Sequence, residues 1–218
     1  MPLQPPPLKA WHAVLVLLAV ASLLALQLMP NAPEALRFSR PAFADGQWWQ
    51  LLSAQLVHLN LRHAALNAVA LAVTLLAWRV WITLPRQGLA LAGGALGVAL
   101  VLTLDRDCSF YAGLSGALHG LWAGNAIFLM CARDQVPDAT RSGRDTSGTI
   151  AAPRVVAALV LLALAGKLAW QDGPAAGAFD AWLQIPVYRP AHWAGLGGGL
   201  VAAGLALCLR SRAASARR

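Results

Sequence analysis

The sequence predicts an all-α membrane protein, a single domain over residues 1–218 that forms a bundle of six transmembrane helices. Hydrophobic residues make up 58% of the chain and charged residues 12%, and the mean hydropathy is +0.58. A soluble globule of this length would need more polar surface. The apolar residues also gather in six long windows, with most basic residues on one side of them.

Each predicted helix is an apolar window close to the roughly 17 to 25 residues that cross a bilayer. The first follows Lys9, as a secretion signal would, but its apolar run exceeds the roughly 7 to 15 residues of a signal and no small-residue cleavage site follows. It is therefore interpreted as a retained helix. In chain order, the predicted helices cover residues 11–29, 63–82, 88–104, 115–131, 155–170 and 192–209.

The connecting segments differ in composition. Residues 30–57 form a long outside loop whose Trp48 and Trp49 suit the membrane interface. Residues 133–154 are rich in Ser, Thr, Asp and Arg, which predicts a mobile cytoplasmic linker. Residues 171–190 form a second outside loop, and residues 210–218 form a basic cytoplasmic tail.

Basic residues orient the predicted bundle. With both termini in the cytoplasm, 11 of the 17 Lys and Arg residues lie on the inside, as the positive-inside rule requires. The pI of about 10.7 therefore follows from topology. No aromatic platform is interleaved with these arginines, which argues against nucleic acid as a partner. The three cysteines lack metal-ligand spacing, so neither a metal nor a cofactor is expected.

Polar side chains gather at one depth in this arrangement, because the second, fourth and sixth helices all begin at the outer face. A lone histidine there is more often a hydrogen-bonded interfacial residue, and a membrane serine more often bonds its own backbone. Several together favour a functional site, since ionisable groups at membrane depth are costly. The residues concerned are His58, His63, Asn67, Ser115, His119 and His192.

Small residues recur every four positions on the fourth and sixth predicted helices. Such stripes allow two helices to pack closely. Close approach would let Ser115 and His192 share a hydrogen bond, and a serine hydroxyl becomes a good nucleophile only beside such a base. The glycines of the two stripes are Gly116, Gly120, Gly124, Gly195 and Gly199.

Three sequence blocks resemble motifs of the rhomboid intramembrane serine proteases. "GLSG" at 113–116 is similar to the nucleophile motif, and "HWAGLGGG" at 192–199 is similar to the final-helix pattern of a histidine followed by spaced glycines. "HLNLRHAALN" at 58–67 resembles the block on the second helix. The resemblance covers most of residues 11–209 and implies a six-helix fold with an outward-facing site.

The resemblance implies a role for each matching residue. Ser115 would be the nucleophile and His192 its base, while the Ser115 backbone N–H, His63 and Asn67 would hold the oxyanion. No acid lies near enough in the pattern to complete a triad, so packing is expected to orient His192. The residues expected to support or position the site are Gly113, Gly116, His58 and His119.

His119 is a rival base, because it lies four residues after Ser115 and therefore on the same helix face. It is also roughly 6 Å deeper along the helix axis. A base on a facing helix can point at the hydroxyl more directly, so His192 is preferred and His119 is interpreted as a supporting hydrogen-bond partner.

"GLSGALHG" at 113–120 and "WWQLLSAQLVHLNLRH" at 48–63 resemble the rhombosortases, bacterial relatives of the rhomboids. This branch implies cleavage of exported proteins near a C-terminal Gly-Gly motif that precedes one membrane helix and a basic tail. It also implies the bacterial inner membrane, with the site near the periplasmic face. In one departure, Trp49 and Gln50 stand where many rhomboids have Trp-Arg, which affects the expected loop geometry more than the chemistry.

Three alternatives stay open at this point. A general rhomboid protease would cleave other single-span membrane proteins. A non-catalytic rhomboid-like protein would bind clients without needing the serine and histidine. A small transporter or channel would place polar groups at the bilayer midplane or break its helices there, whereas the helix centres here are mostly Ala, Leu, Val and Gly.

Overall fold

The structure, a computed structural model, describes residues 10–131, 147–173 and 176–216. These residues form ten helices and one small sheet, which confirms the all-α membrane fold class. Five of the described helices are long and apolar enough to cross a membrane. The elements are α1 (Ala10–Leu28), α2 (Ala32–Leu36), β1 (Phe38–Ser39), α3 (Arg40–Ala44), α4 (Gln50–Ser53), α5 (Leu61–Trp78), α6 (Leu84–Leu104), β2 (Phe110–Tyr111), α7 (Ser115–Met130), α8 (Ser147–Gln171), α9 (Ala176–Leu183) and α10 (Pro190–Ser215).

Helix α7 lies at the centre of the bundle. It has 16 residues, of which twelve are buried, and it packs against α6, α8 and α10. Its length of about 24 Å is less than the roughly 30 Å of a bilayer's hydrocarbon core. A helix enclosed by protein need not match the lipid thickness. A count of six spans therefore stays a prediction, and the sixth would be this short inner helix.

Helix boundaries differ from the apolar windows at several ends. Helix α5 begins at Leu61 because the Asn60 side chain caps it, accepting the His63 N–H at 2.9 Å. Helix α10 runs on to Ser215, and α8 begins at Ser147 inside the predicted linker. Hydropathy windows mark the lipid-crossing length, whereas a hydrogen-bonded helix continues into polar sequence. Residues 132–146 of the predicted linker region lie outside the described residues.

Glycines bring three helices together, where the sequence stripes indicated two. A Cβ atom added at Gly120 would lie 2.6 Å from the Gly195 carbonyl oxygen and would also overlap Gly94 of α6. One added at Gly199 would overlap the Gly120 carbonyl oxygen. Helices α6, α7 and α10 therefore touch backbone to backbone. Further glycines of this contact, which the sequence stripes did not include, are Gly93, Gly97 and Gly198.

A two-stranded sheet ties the first outside loop to the segment before α7. Strand β1 pairs antiparallel with β2, with Phe38 opposite Tyr111 and Ser39 opposite Phe110. Strands of two residues have no readable alternation, so the sequence did not indicate them. The Arg40 side chain strengthens the same junction by donating to the main-chain oxygens of residues 102, 105 and 108.

Gln50, at the position where many rhomboids have arginine, holds the first outside loop. Its side chain is buried, and its Oε1 accepts the Ser39 N–H at 3.0 Å. Its Nε2 donates to Gln47 Oε1 at 3.2 Å. An amide therefore fixes the loop here, while Trp48 and Trp49 remain largely exposed beside it.

Candidate active site

A glycine turn places Ser115 at the start of α7. Gly113 has φ +132°, a conformation that side chains rarely adopt, and a Cβ there would lie 2.5 Å from the His63 ring. The Gly113 N–H donates to the Ala54 carbonyl at 2.8 Å, and its carbonyl accepts the Tyr111 hydroxyl at 2.8 Å. The turn is thus held from both sides, and it brings His63 of α5 against Gly113, two residues before Ser115.

Ser115 and His192 are in hydrogen-bond contact. The Ser115 Oγ lies 2.9 Å from His192 Nε2, and His192 is buried in the first turn of α10. A Cβ at Gly195 would overlap the Gly116 carbonyl oxygen, so only glycine lets α10 come this close to α7. The distance falls within the range at which a base can activate a hydroxyl.

The second ring nitrogen of His192 also has a partner. His192 Nδ1 lies 3.0 Å from Oε1 of Gln171, a buried side chain at the end of α8. The expectation that packing orients His192 is corrected by this hydrogen bond. Residue 171 was predicted to lie in a loop, and an acid was the expected partner of a catalytic histidine. Gln171, a neutral amide, was therefore not predicted as a site residue.

His119 lies under His192 rather than beside the serine hydroxyl. The two rings stack with centroids 4.4 Å apart and an interplanar angle of 22°. His119 Nδ1 is 2.7 Å from the Ser115 carbonyl oxygen, and its Nε2 is 2.9 Å from Lys167 Nζ. Both ring nitrogens thus have partners other than the Ser115 hydroxyl, which disfavours His119 as the base.

Lys167 is the second residue of α8 that the sequence search for site residues missed. Lys167 and Gln171 are four residues apart and therefore share one helix face. Each bonds one ring of the stacked histidine pair. The sequence does contain a signal for this pair, since two polar residues stand four positions apart at the end of the apolar window 155–170.

His63 and Asn67 lie one turn apart on α5 and line the same cavity as Ser115 and His192. Asn67 Nδ2 and His63 Nδ1 are buried, and among the described residues neither has a hydrogen-bond partner. A buried polar atom without a partner costs roughly 1 to 3 kcal/mol. Both groups therefore have unused hydrogen-bonding capacity beside Ser115.

His58 lies behind the site, fully buried between α4 and α5. Its Nε2 accepts the Leu114 N–H at 3.4 Å, and its ring meets that of His63 edge-on at 4.9 Å. Burial lowers the pKa of His58 to about 3, with a smaller contribution from His63. A neutral His58 thus joins the first outside loop to the turn that carries Ser115.

Two cavities open at Ser115 and differ greatly in size. The larger, of about 690 Å³, lies between α5, α7 and α8, with apolar walls that include Leu66, Trp122 and Leu159. The smaller, of about 30 Å³, is bounded by residues 110–112 before α7, by residues 185–188 before α10 and by Leu59. The two cavities share His63, Ser115, Val187 and His192.

No group of three or more His, Cys, Asp or Glu side chains in residues 10–131, 147–173 and 176–216 could hold a metal ion. The polar groups at Ser115 are instead arranged in hydrogen-bonded pairs. Such an arrangement suits proton transfer and acyl transfer.

A Rhomboid domain matches residues 45–212, well over half of the chain. No curated protein and no solved structure matches it. Rhomboid proteins are generally intramembrane serine proteases that act on membrane proteins within the bilayer. The domain and the apolar helices together support a multi-pass membrane protein with an intramembrane-protease-like function. The chain belongs to the rhomboid family.

Proposed function

We propose that this chain is an intramembrane serine endopeptidase that works through a Ser115–His192 dyad. The observation that carries the proposal is the 2.9 Å contact between Ser115 Oγ and His192 Nε2. This contact faces a large apolar cavity between two helices. Burial of an imidazole in a membrane costs free energy, so its presence there beside a hydroxyl favours a functional role.

In the proposed reaction, His192 Nε2 takes the hydroxyl proton as Ser115 Oγ attacks the scissile carbonyl carbon. The tetrahedral intermediate collapses when His192 returns that proton to the leaving amine, which breaks the peptide bond and leaves an acyl-serine. A water molecule then attacks the ester carbon as His192 takes its proton. The bond to Ser115 Oγ breaks, His192 returns the proton to that oxygen, and the product leaves with a new carboxyl terminus.

The oxyanion of the intermediate would bind three donors. They are the Ser115 backbone N–H, the His63 side chain and Asn67 Nδ2. The unpartnered buried nitrogens of His63 and Asn67 support this role, because an incoming oxyanion would satisfy them. A single donor of this kind contributes roughly 3 to 4 kcal/mol in well-studied enzymes.

The two cavities support a substrate with an apolar segment on one side of the scissile bond and small residues on the other. The large cavity fits the apolar membrane segment of a single-span protein. The small cavity of about 30 Å³ admits little more than a glycine or alanine residue. The proposed substrate is therefore an exported protein with a C-terminal Gly-Gly motif, one membrane helix and a basic tail, as for the rhombosortase branch.

The proposed location is the bacterial inner membrane, with both termini in the cytoplasm. Helix α7 is about 6 Å shorter than the hydrocarbon core. If its C-terminal end reaches the inner interface, Ser115 lies just below the periplasmic surface. A membrane segment could therefore meet the nucleophile near its own outer end.

Co-expression with a Gly-Gly-tailed exported protein tests the proposal. We expect a product whose mass places its new C-terminus beside the glycines, and we expect no product with Ser115→Ala. Ser53→Ala is the matched control, because the Ser53 hydroxyl bonds the Leu36 carbonyl in the first outside loop. Unchanged cleavage by Ser115→Ala would refute the dyad.

A substrate with Val-Val in place of Gly-Gly separates the two protease alternatives. Equal cleavage of both substrates favours a general rhomboid protease, which the apolar walls of the large cavity alone would also suit. Loss of cleavage with Val-Val supports the glycine-selective branch.

A further inference from the structure

Gln171 ends α8 directly beside the base of the proposed dyad. Its side chain is 5% exposed, and its Oε1 lies 3.0 Å from His192 Nδ1. It also lines the large cavity. No other group in the described part of the chain makes a hydrogen bond to this nitrogen. Whether His192 Nδ1 carries the ring hydrogen therefore depends on Gln171.

We infer that Gln171 is a positioning residue that fixes the tautomer of His192, an inference that rests on the proposed function. A neutral imidazole carries one N–H, and the dyad works only if that hydrogen is on Nδ1 and Nε2 is bare. An amide oxygen accepts but cannot donate, so the Gln171 contact holds the hydrogen on Nδ1. His192 Nε2 is then free to accept the Ser115 hydroxyl proton.

The tautomer of His119, whose ring stacks on that of His192, follows from the same argument, and His119 cannot replace Gln171 as a partner of His192 Nδ1. The Ser115 carbonyl oxygen only accepts, so His119 carries its hydrogen on Nδ1. His119 Nε2 is therefore an acceptor, which suits the Lys167 ammonium group. The bonds of His119 lead to Lys167 and to the backbone, and none of them reaches His192 Nδ1.

An amide also suits this depth better than the carboxylate of a classical triad. A charged group inside the membrane carries a large solvation cost, whereas a neutral amide supplies an acceptor of similar shape. Because Gln171 belongs to α8 and His192 to α10, the base has the correct tautomer only while the outer end of α8 lies against α10. The position of α8 is thereby linked to the chemistry.

Two substitutions of Gln171 in the full-length protein, reconstituted in liposomes, test the inference. Gln171→Met keeps the length but removes the acceptor, and we expect kcat for the Gly-Gly substrate to fall at least about tenfold with KM changed less than about twofold. Gln171→Glu keeps an acceptor oxygen and should restore kcat to within several-fold of the original. Gln87→Met is the control, because Gln87 is a fully buried amide that bonds Asn125 away from the site.

The ¹⁵N resonances of the His192 ring give a readout that a merely structural role would not move. We expect a protonated Nδ1 and a bare Nε2 in the original protein and in Gln171→Glu, and a mixture of tautomers in Gln171→Met. A hydrogen on Nε2 in the original protein would overturn the inference, and this measurement stands even if Gln171→Met fails to accumulate. Full kcat in Gln171→Met would overturn it equally.

Ser115→Ala, assayed in parallel, separates failure of this inference from failure of the proposed function. An inactive Ser115→Ala beside a fully active Gln171→Met refutes only the role of Gln171. A fully active Ser115→Ala refutes the dyad itself and the positioning role with it.

Discussion

In the proposed mechanism, the base comes from α10, and two of the three oxyanion donors come from α5, so different parts of the chemistry belong to different side chains. His192 and Gln171 would act on the proton, whereas His63 and Asn67 would act on the negative charge that develops on the substrate carbonyl oxygen. Substitutions at these residues should therefore change kinetic parameters in distinguishable ways.

Asn67→Leu should lower kcat about 100-fold or more with little change in KM, because the amide would bind the oxyanion more strongly than the ground-state carbonyl. Steady-state cleavage of a Gly-Gly substrate in liposomes measures both parameters. Thr74→Val, on the same helix, is the control, since the Thr74 hydroxyl bonds the Ala70 carbonyl of its own helix. An unchanged kcat in Asn67→Leu would remove Asn67 from the proposed oxyanion site.

Acid should destabilise the protein through His58. Its pKa is about 3 in the folded protein and about 6.5 in an unfolded chain. Between these values the unfolded state binds a proton that the native state does not, so stability falls as the pH drops below 6.5. One such group accounts for about 2 kcal/mol at pH 5.

His58→Gln supplies an acceptor near Nε2 that does not titrate, and it should reduce this acid sensitivity. Unfolding of the micellar protein at pH 7.5 and pH 5 measures the difference for both proteins. The same loss of stability in the variant and the original would contradict the role of His58.

Most residues of the candidate site could be predicted from the sequence, because they lie at matching depths of three apolar windows. These residues are His63, Asn67, Ser115 and His192. Lys167 and Gln171 could not be predicted in the same way. A polar residue at the end of an apolar window looks like the first residue of a loop, and only the course of α8 shows that both side chains face the stacked histidines.

Among the helices, the close contact of α6, α7 and α10 sets the distance between Ser115 and His192. The glycine stripes of α7 and α10 were visible in the sequence because their spacing is regular. The contribution of α6 was missed, because its Gly93 and Gly97 are four residues apart but form a single pair rather than a stripe of three. Packing partners depend on the three-dimensional path of each helix, which periodicity alone does not specify.

Gly199→Ala should destabilise the bundle and lower cleavage, since its methyl group would overlap the backbone of Gly120. Overpacking of this kind typically costs roughly 1 to 3 kcal/mol. Gly197→Ala, two residues earlier on α10, is the matched control, because nothing lies within 4 Å of a Cβ there. Denaturant unfolding in micelles compares the two variants, and equal stability would argue against backbone contact between α7 and α10.

The described membrane-spanning helices expose apolar residues around the sides of the bundle, whereas the polar groups of the candidate site lie inside it. Leu17, Leu96, Leu162 and Leu205, on four different helices, are each at least 60% exposed, as lipid-facing residues should be. Composition and apolar windows were sufficient to predict this membrane fold. They could not predict that α7 is short and enclosed, because burial by protein and burial by lipid select the same residues.

Charge placement predicts that the first outside loop and the end of α7 lie on opposite sides of the membrane. A protein whose only cysteine is introduced by Trp48→Cys should react with a membrane-impermeant maleimide added from the periplasmic side. One that retains only the exposed Cys131 should react only after the inner membrane is opened. The reverse pattern would invert the proposed orientation.

Labelling with a fluorophosphonate probe tests the central claim most directly, because the probe reacts with a serine hydroxyl that a neighbouring base has activated. We expect peptide mass analysis to find the label on Ser115, and we expect no labelling of Ser115→Ala or His192→Ala at equal protein levels. Ser53→Ala should be labelled like the original protein. Label on a different serine, or undiminished labelling of Ser115→Ala, would contradict the Ser115–His192 dyad.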